Sequence, residues 1–225
     1  MIFGGDVTAA PSDGASTWVR RTTHGEFGTV GGFIPEGLPA TVRIAAPDPD
    51  IDHWWDRYRA LHAHIVAVGA EHTSTPDRAW FAVWEGHGWA NQTTMYRRVA
   101  DPVSARRRVA GAWLRWRSRH VDRRRNRAVA ADLAALARLD LRHRRYLLCV
   151  GPLTAVTELR EPGSPDTWQR PDLWWPEDRS WFVATDTDFW SLYLGAGQEM
   201  VDALVDRLPT SVTPVARDHR IERED

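Results

Sequence analysis

The chain has 225 residues, a formal net charge of −1, 43% hydrophobic residues and a single cysteine. That length buries a core without metal or disulfide staples, and one cysteine excludes an intrachain disulfide. No segment approaches a membrane span of about 18 consecutive apolar residues, and the first residues carry no basic stretch of a secretion signal, so a cytoplasmic protein is expected.

Residues 1–15, rich in glycine and other small residues, read as a disordered tail. One α+β domain is expected over 16–215, followed by a charged tail over 216–225. The pieces TWVRR (Thr17–Arg21) and TVRIAA (Thr41–Ala46) read as short strands. Trp55, Tyr58, Leu61 and Ile65 at helical spacing predict a helix from Asp52 to Val68, ended by Gly69. RAWFAVWEG reads as a strand that stops at Gly86. Asp101-Pro102 makes a helix start, and Val109, Trp113, Trp116 and His120 then line one stripe. Leu133, Leu136 and Ala137 continue helical spacing toward Leu141, so 102–143 reads as an Arg-rich helical segment. RYLLCVGP is an apolar strand, Leu153–Leu159 a short helix or turn, and EPGSPDTWQRPD a loop. SWFVATDTDFWSLYLGAG reads as two strands around TDTD, and QEMVDALVDRL as a short amphipathic helix. The sum is a mostly antiparallel sheet of about five or six strands with packed helices, without regular β-α-β alternation.

Two strings share letters: PDRAWFAV from Pro76 and PEDRSWFVATDTD from Pro176. Residues two apart on a strand share a face, so Arg78 is expected beside Trp80 and Arg179 beside Trp181, with Asp77 and Asp178 as turn residues. Both strings therefore read as strand entrances built with the same chemistry.

The 29 basic residues are all arginine, and sixteen of them fall between Arg97 and Arg145 against four aspartates, leaving the rest of the chain net acidic. Arg115, Arg119, Arg123 and Arg124, interleaved with Trp113 and Trp116, are what a phosphate-binding helix looks like. A wet arginine face over a buried tryptophan stripe gives the same pattern.

The remaining candidates are local. Asp186-Thr187-Asp188 places two carboxylates together for a divalent cation, while a tight hairpin turn explains the same letters. Cys149 sits in an apolar run as a buried, inert thiol. His62, His64, His72 and His87 lack the spacing of a metal site and read as surface histidines, and no nucleophile elbow occurs. No cofactor is indicated. The thirteen tryptophans stand out because such rings concentrate where large areas are buried or ligands are gripped. Trp174-Trp175, flanked by prolines, reads either as an aromatic floor or as a plug of the core and cover of a sheet edge.

PDRAWFAVWEGHG, YLLCVGPL, PDLWWPEDRSWFVATDTDFWSLYLGAG and GLPATVRIAAP together resemble an actinobacterial Trp-rich family that carries no assigned function. The resemblance spans residues 33–90 and 146–208. It implies a cytoplasmic bacterial protein with one shared core and supplies no catalytic residues. The Arg-rich helices fall where a variable connection is expected.

Three functional readings follow. One is a protein-binding module, an immunity-type or regulatory partner, with a Trp-rich surface of Trp84, Glu85, Trp89, Trp174 and Trp175. The second is nucleic-acid binding through Arg115, Arg119, Arg123 and Arg124, and the third is a metal-dependent enzyme using Asp186 and Asp188.

Overall fold

A computed structural model describes residues 3–10, 14–48, 52–87, 131–162, 164–187 and 189–221. Trp89, Arg115, Arg119, Arg123, Arg124 and Asp188 lie outside the described residues, as does most of the expected Arg-rich helical segment.

The strands are β1 (Thr8–Ala9), β2 (Ala40–Ile44), β3 (Ala79–Trp84), β4 (Arg138–Leu141), β5 (Arg144–Gly151), β6 (Arg160–Glu161), β7 (Ser164–Trp168), β8 (Leu173–Pro176), β9 (Trp181–Asp186), β10 (Phe189–Ala196) and β11 (Val212–Pro214). The helices are α1 (Gly14–Thr22), α2 (Trp54–Glu71) and α3 (Gln198–Arg207). A nine-stranded antiparallel sheet runs β1-β5-β3-β8-β9-β10-β2-β11, with β4 also paired to β5, and β6 with β7 forms a separate ribbon. The α+β, antiparallel architecture is as expected, with more strands than the five or six anticipated.

Both faces of the sheet are covered. On one, α2, α3 and a 3-10 turn at Leu153–Thr157 bury Tyr58, Ile65, Val156 and Leu204 against Phe81, Trp174, Trp181 and Leu194. On the other, α1 and the stretch through Phe33 and Ile34 bury Val19 and Val30 against Trp80, Leu148, Trp175 and Phe182. Alternate residues of one strand therefore enter different cores, and β8 and β9 are buried at every position, without the apolar-polar alternation of a one-sided sheet.

Several segments depart from the sequence expectation. TWVRR belongs to α1, because Val19 and Trp18 gain more contact on the sheet than β-branched propensity at Thr17 and Val19 gains from an extended form. In the stretch expected as a tail up to residue 15, Thr8–Ala9 pair with β5, and Phe3 and Val7 are buried. Within 216–221, Arg217 donates to the carbonyls of Pro35 and Ile34 at 3.0 and 2.6 Å. The helical spacing around Leu133 ends at Ala134, and residues 138–141 are a strand. EPGSPDTWQRPD, expected as a loop, contributes to the β6–β7 ribbon, whose Trp168 donates to the Val156 carbonyl at 2.9 Å.

The two Asp-Arg-x-Trp strings do enter strands, β3 and β9, side by side around β8, yet their tryptophans face opposite cores. Arg78 pairs with Glu177 at 3.4 Å, and the same carboxylate accepts from the Trp80 ring nitrogen. Arg179 lies over Trp18 at 5.5 Å and not on Trp181. Asp178 accepts from Thr73 and from both the backbone and the hydroxyl of Ser74 at 2.6–2.8 Å, so it ties one entrance to the other. Burial opposes its ionisation, but those bonds and two from Ser180 outweigh it and hold the carboxyl at about 2.

Helix α2 meets β9 at one glycine. Trp181 donates to the Gly69 carbonyl at 3.0 Å, and a Cβ on Gly69 would stand 2.6 Å from the indole ring. Alanine normally favours a helix interior over glycine, but here the buried ring has no room to move. Gly69→Ala is expected to destabilise by about 1–3 kcal/mol in urea unfolding.

Candidate functional site

Where β3, β8 and β9 meet the start of β5, the sheet carries a cluster of charges. Asp172 precedes Leu173 and is 1% exposed. Its Oδ2 accepts from the Trp84 N–H at 2.7 Å and from His87 Nε2 at 2.9 Å. Arg170 donates to the Asp186 carbonyl at 2.7 Å and to the Tyr58 hydroxyl at 3.2 Å, and its guanidinium lies 3.9 Å from Asp172. Arg144 donates to Asp186 Oδ1 at 2.8 Å and covers the Trp84 ring at 4.2 Å. Burial works against the charge on Arg170, but Tyr58, Asp172 and Asp186 more than restore it and raise its pKa. Tyr146 is held well above the ordinary phenol value by burial first, then by Asp172 and Asp186.

This arrangement decides several candidates. Asp186 closes the β9–β10 hairpin opposite Phe189, and its carboxylate is held by Arg144. No group of three metal-ligating side chains gathers among the described residues. Trp174 and Trp175 are each 0% exposed and lie in opposite cores, so neither belongs to a contact surface. Trp84 is half-buried beneath Arg144, and Glu85 accepts from Arg138 Nε at 2.7 Å. Cys149 is buried with its thiol pushed up to about 12, in keeping with an inert residue.

His62 is not a surface residue. It lies one turn after Tyr58 on the core side of α2, with Nδ1 2.9 Å from the Tyr58 carbonyl and its ring between Trp168 and Trp174. Burial drives its pKa down to about 3, with a smaller opposing effect from that hydrogen bond.

Beside the ion-pair cluster a cavity of about 270 Å³ opens between α1, the Gly25–Phe33 stretch and the β4–β5 turn. Leu141 pairs with Arg144, which leaves Arg142 and His143 at the tip of a two-residue turn. Arg20 reaches the cavity from α1, with His24 just beyond the helix. The floor is shaped by backbone contact: Gly25 donates to the Gly31 carbonyl at 3.1 Å, and a Cβ on Gly25 would lie 2.2 Å from the Gly31 backbone. Arg144 and Tyr146 line the side nearest the cluster. The one acidic lining residue, Asp140, is engaged by Arg145 Nε at 2.9 Å. No described acid pairs with Arg20 or Arg142, and Phe27, 44% exposed, stands at the rim 4.7 Å from His143.

Sequence reasoning did not single out Arg20, His24, Arg142, His143 or Tyr146. The available signal was the pair of basic strings, Arg20-Arg21 and Arg142-His143-Arg144-Arg145, which the fold brings together across the cavity. The chain matches no family model, no curated protein and no solved structure.

Buried His62 and Asp172 each have a measurable consequence. An unfolded histidine binds a proton near pH 6.5 and His62 in the fold only near 3, so the unfolded state takes up the extra proton between them. The stability that neutral His62 contributes is complete above pH 6.5 and is lost on acidification at up to about 1.4 kcal/mol per pH unit. His62→Phe is expected to flatten that slope in urea titrations between pH 6.5 and 4. Asp172→Asn removes a carboxylate beside buried Arg170 and is expected to cost about 3 kcal/mol in the same assay at neutral pH.

Proposed function

We propose that this protein is an interaction module that docks an acidic segment of a partner protein in the cavity between α1 and the β4–β5 turn. The observation that carries this reading is the charge of that cavity. Arg20 and Arg142 face it with no described acidic partner, Arg144 lines its inner side in an ion pair with Asp186, and its one lining carboxylate is already engaged by Arg145. Converging guanidinium groups on low-dielectric walls concentrate positive potential although the whole chain is near neutral. The exposed Phe27 ring at the rim adds an apolar contact of the kind that anchors an interface. This keeps the binding-module reading of the sequence while moving its contact surface from tryptophan to arginine.

A fluorescein-labelled glutamate-rich peptide titrated by fluorescence anisotropy tests the idea. Binding is expected to weaken about tenfold between low and physiological salt, as exposed charge pairs are screened over about 8 Å. The double variant Arg20→Glu/Arg142→Glu changes two exposed side chains and is expected to abolish binding with an unchanged Tm. Equal affinity for that variant would refute the cavity as the site, because the arginines of residues 97–127 remain intact in it.

A further inference from the structure

Resting on that reading, we infer that the acidic group received by the cavity is a phosphate monoester. Guanidinium groups enter from two walls, Arg20 from the helix and Arg142 from the hairpin tip. A planar carboxylate is filled by one guanidinium fork, whereas a phosphate monoester offers three terminal oxygens and close to two negative charges, and so engages donors from several directions. Two further lining residues favour the larger anion. Tyr146 is 1% exposed, and its hydroxyl is buried without a hydrogen-bond partner among the described residues. The Thr23 hydroxyl, at the end of α1, is in the same condition. A buried hydroxyl left unpaired costs free energy, and two such groups, on residues that line one cationic cavity, are donors without an acceptor among the described residues.

Charge within the wall agrees with this assignment. Asp172 and Asp186 lie near Tyr146, and each has a cationic partner, Arg170 at 3.9 Å in one case and Arg144 at 2.8 Å in the other. The phenol stays protonated, since burial and those two carboxylates both oppose its ionisation. The cavity volume, about 270 Å³, exceeds that of a bare phosphate and leaves space for the group that carries it. Phe27 at the rim offers that carrier an apolar surface.

The experiment compares three versions of one labelled peptide, with phosphoserine, glutamate or serine at the same position, and adds inorganic phosphate alone followed by 31P NMR. The phosphoserine peptide is expected to bind about tenfold tighter than the glutamate one, a difference of about 1.4 kcal/mol. Tyr146→Phe and Thr23→Val are each expected to weaken the phosphoserine peptide severalfold and to leave the glutamate peptide unchanged. Arg142→Gln, at an exposed turn, weakens both and remains informative if a buried substitution impairs folding. A glutamate peptide that binds as tightly as the phosphoserine one overturns the phosphate assignment and leaves the docking reading standing. Failure of both peptides and of phosphate overturns both. Inorganic phosphate bound tightly, with the phosphoserine peptide no better than the serine one, keeps the phosphate class and assigns it to a free small molecule.

Discussion

Trp175 lies flat between Trp80 and Phe182, with interplanar angles of 4° and 18°, while its neighbour Trp174 turns to the opposite core against Trp181 and His62. Strand β8 is only four residues long, yet through these two rings it fastens both layers to the sheet. Each buried tryptophan removes about 200 Å² from water, roughly 5 kcal/mol at 25 cal/mol per Å². Trp18 meets both Trp175 and Phe182, which seats α1 on one face. Trp181, bonded to Gly69, seats α2 on the other. The short strand tolerates Pro176 because it stands at the strand's end, opposite Ala79, where a missing N–H interrupts no ladder.

A sheet buried on both faces creates a problem at its ends, where the chain must leave through protein rather than through water. Asp172, one residue before β8, accepts the Trp84 N–H at the end of β3 on its carboxylate, donates its own N–H to the Ala82 carbonyl, and accepts the Thr185 N–H on its carbonyl. Asp186, at the end of β9, takes Arg144 on its carboxylate and Arg170 on its carbonyl. The ion pairs are thus the termination of the central strands, and their charges balance because isolated buried charge is too costly to keep. This accounts for Asp186, which belongs to a metal-like motif in sequence and behaves as a structural anchor in the fold.

Strands β3, β5, β9 and β10 were readable because long apolar runs between turn residues have few other uses, and α2 and α3 because their apolar spacing follows the helical period. For Trp174-Trp175, core plug and contact surface were both open, since two adjacent large rings both become internal only when the sheet is covered twice. His62 occupied a core position by spacing, four residues from Tyr58, and its polarity argued the other way; the Tyr58 carbonyl settles one ring nitrogen there. The β6–β7 ribbon was hidden because the breaker residues of EPGSPDTWQRPD read as a loop. The cavity was the least legible feature, since Arg20 and Arg142 meet only through the packing of α1 beside β4.

The cluster and the cavity share a wall, and that adjacency gives the structural ion pairs a second consequence. A long, flexible cation loses side-chain entropy when it grips a ligand, a loss that weakens exposed charge pairs. Arg144 has already met that cost in the fold: Asp186 holds one nitrogen at 2.8 Å and Trp84 lies under the guanidinium at 4.2 Å. Paired with Asp186, it forms a fixed inner wall, whereas Arg20 and Arg142, on the exposed side, are the cations that the proposed docking would use. Half-buried Trp84 meets this wall through Arg144, so in the proposed docking its role is one of position. A cavity built in this way combines a rigid inner wall, made by strand termination, with adjustable cations at its mouth, and the double cover of the sheet that hides the tryptophans is what holds that inner wall in place.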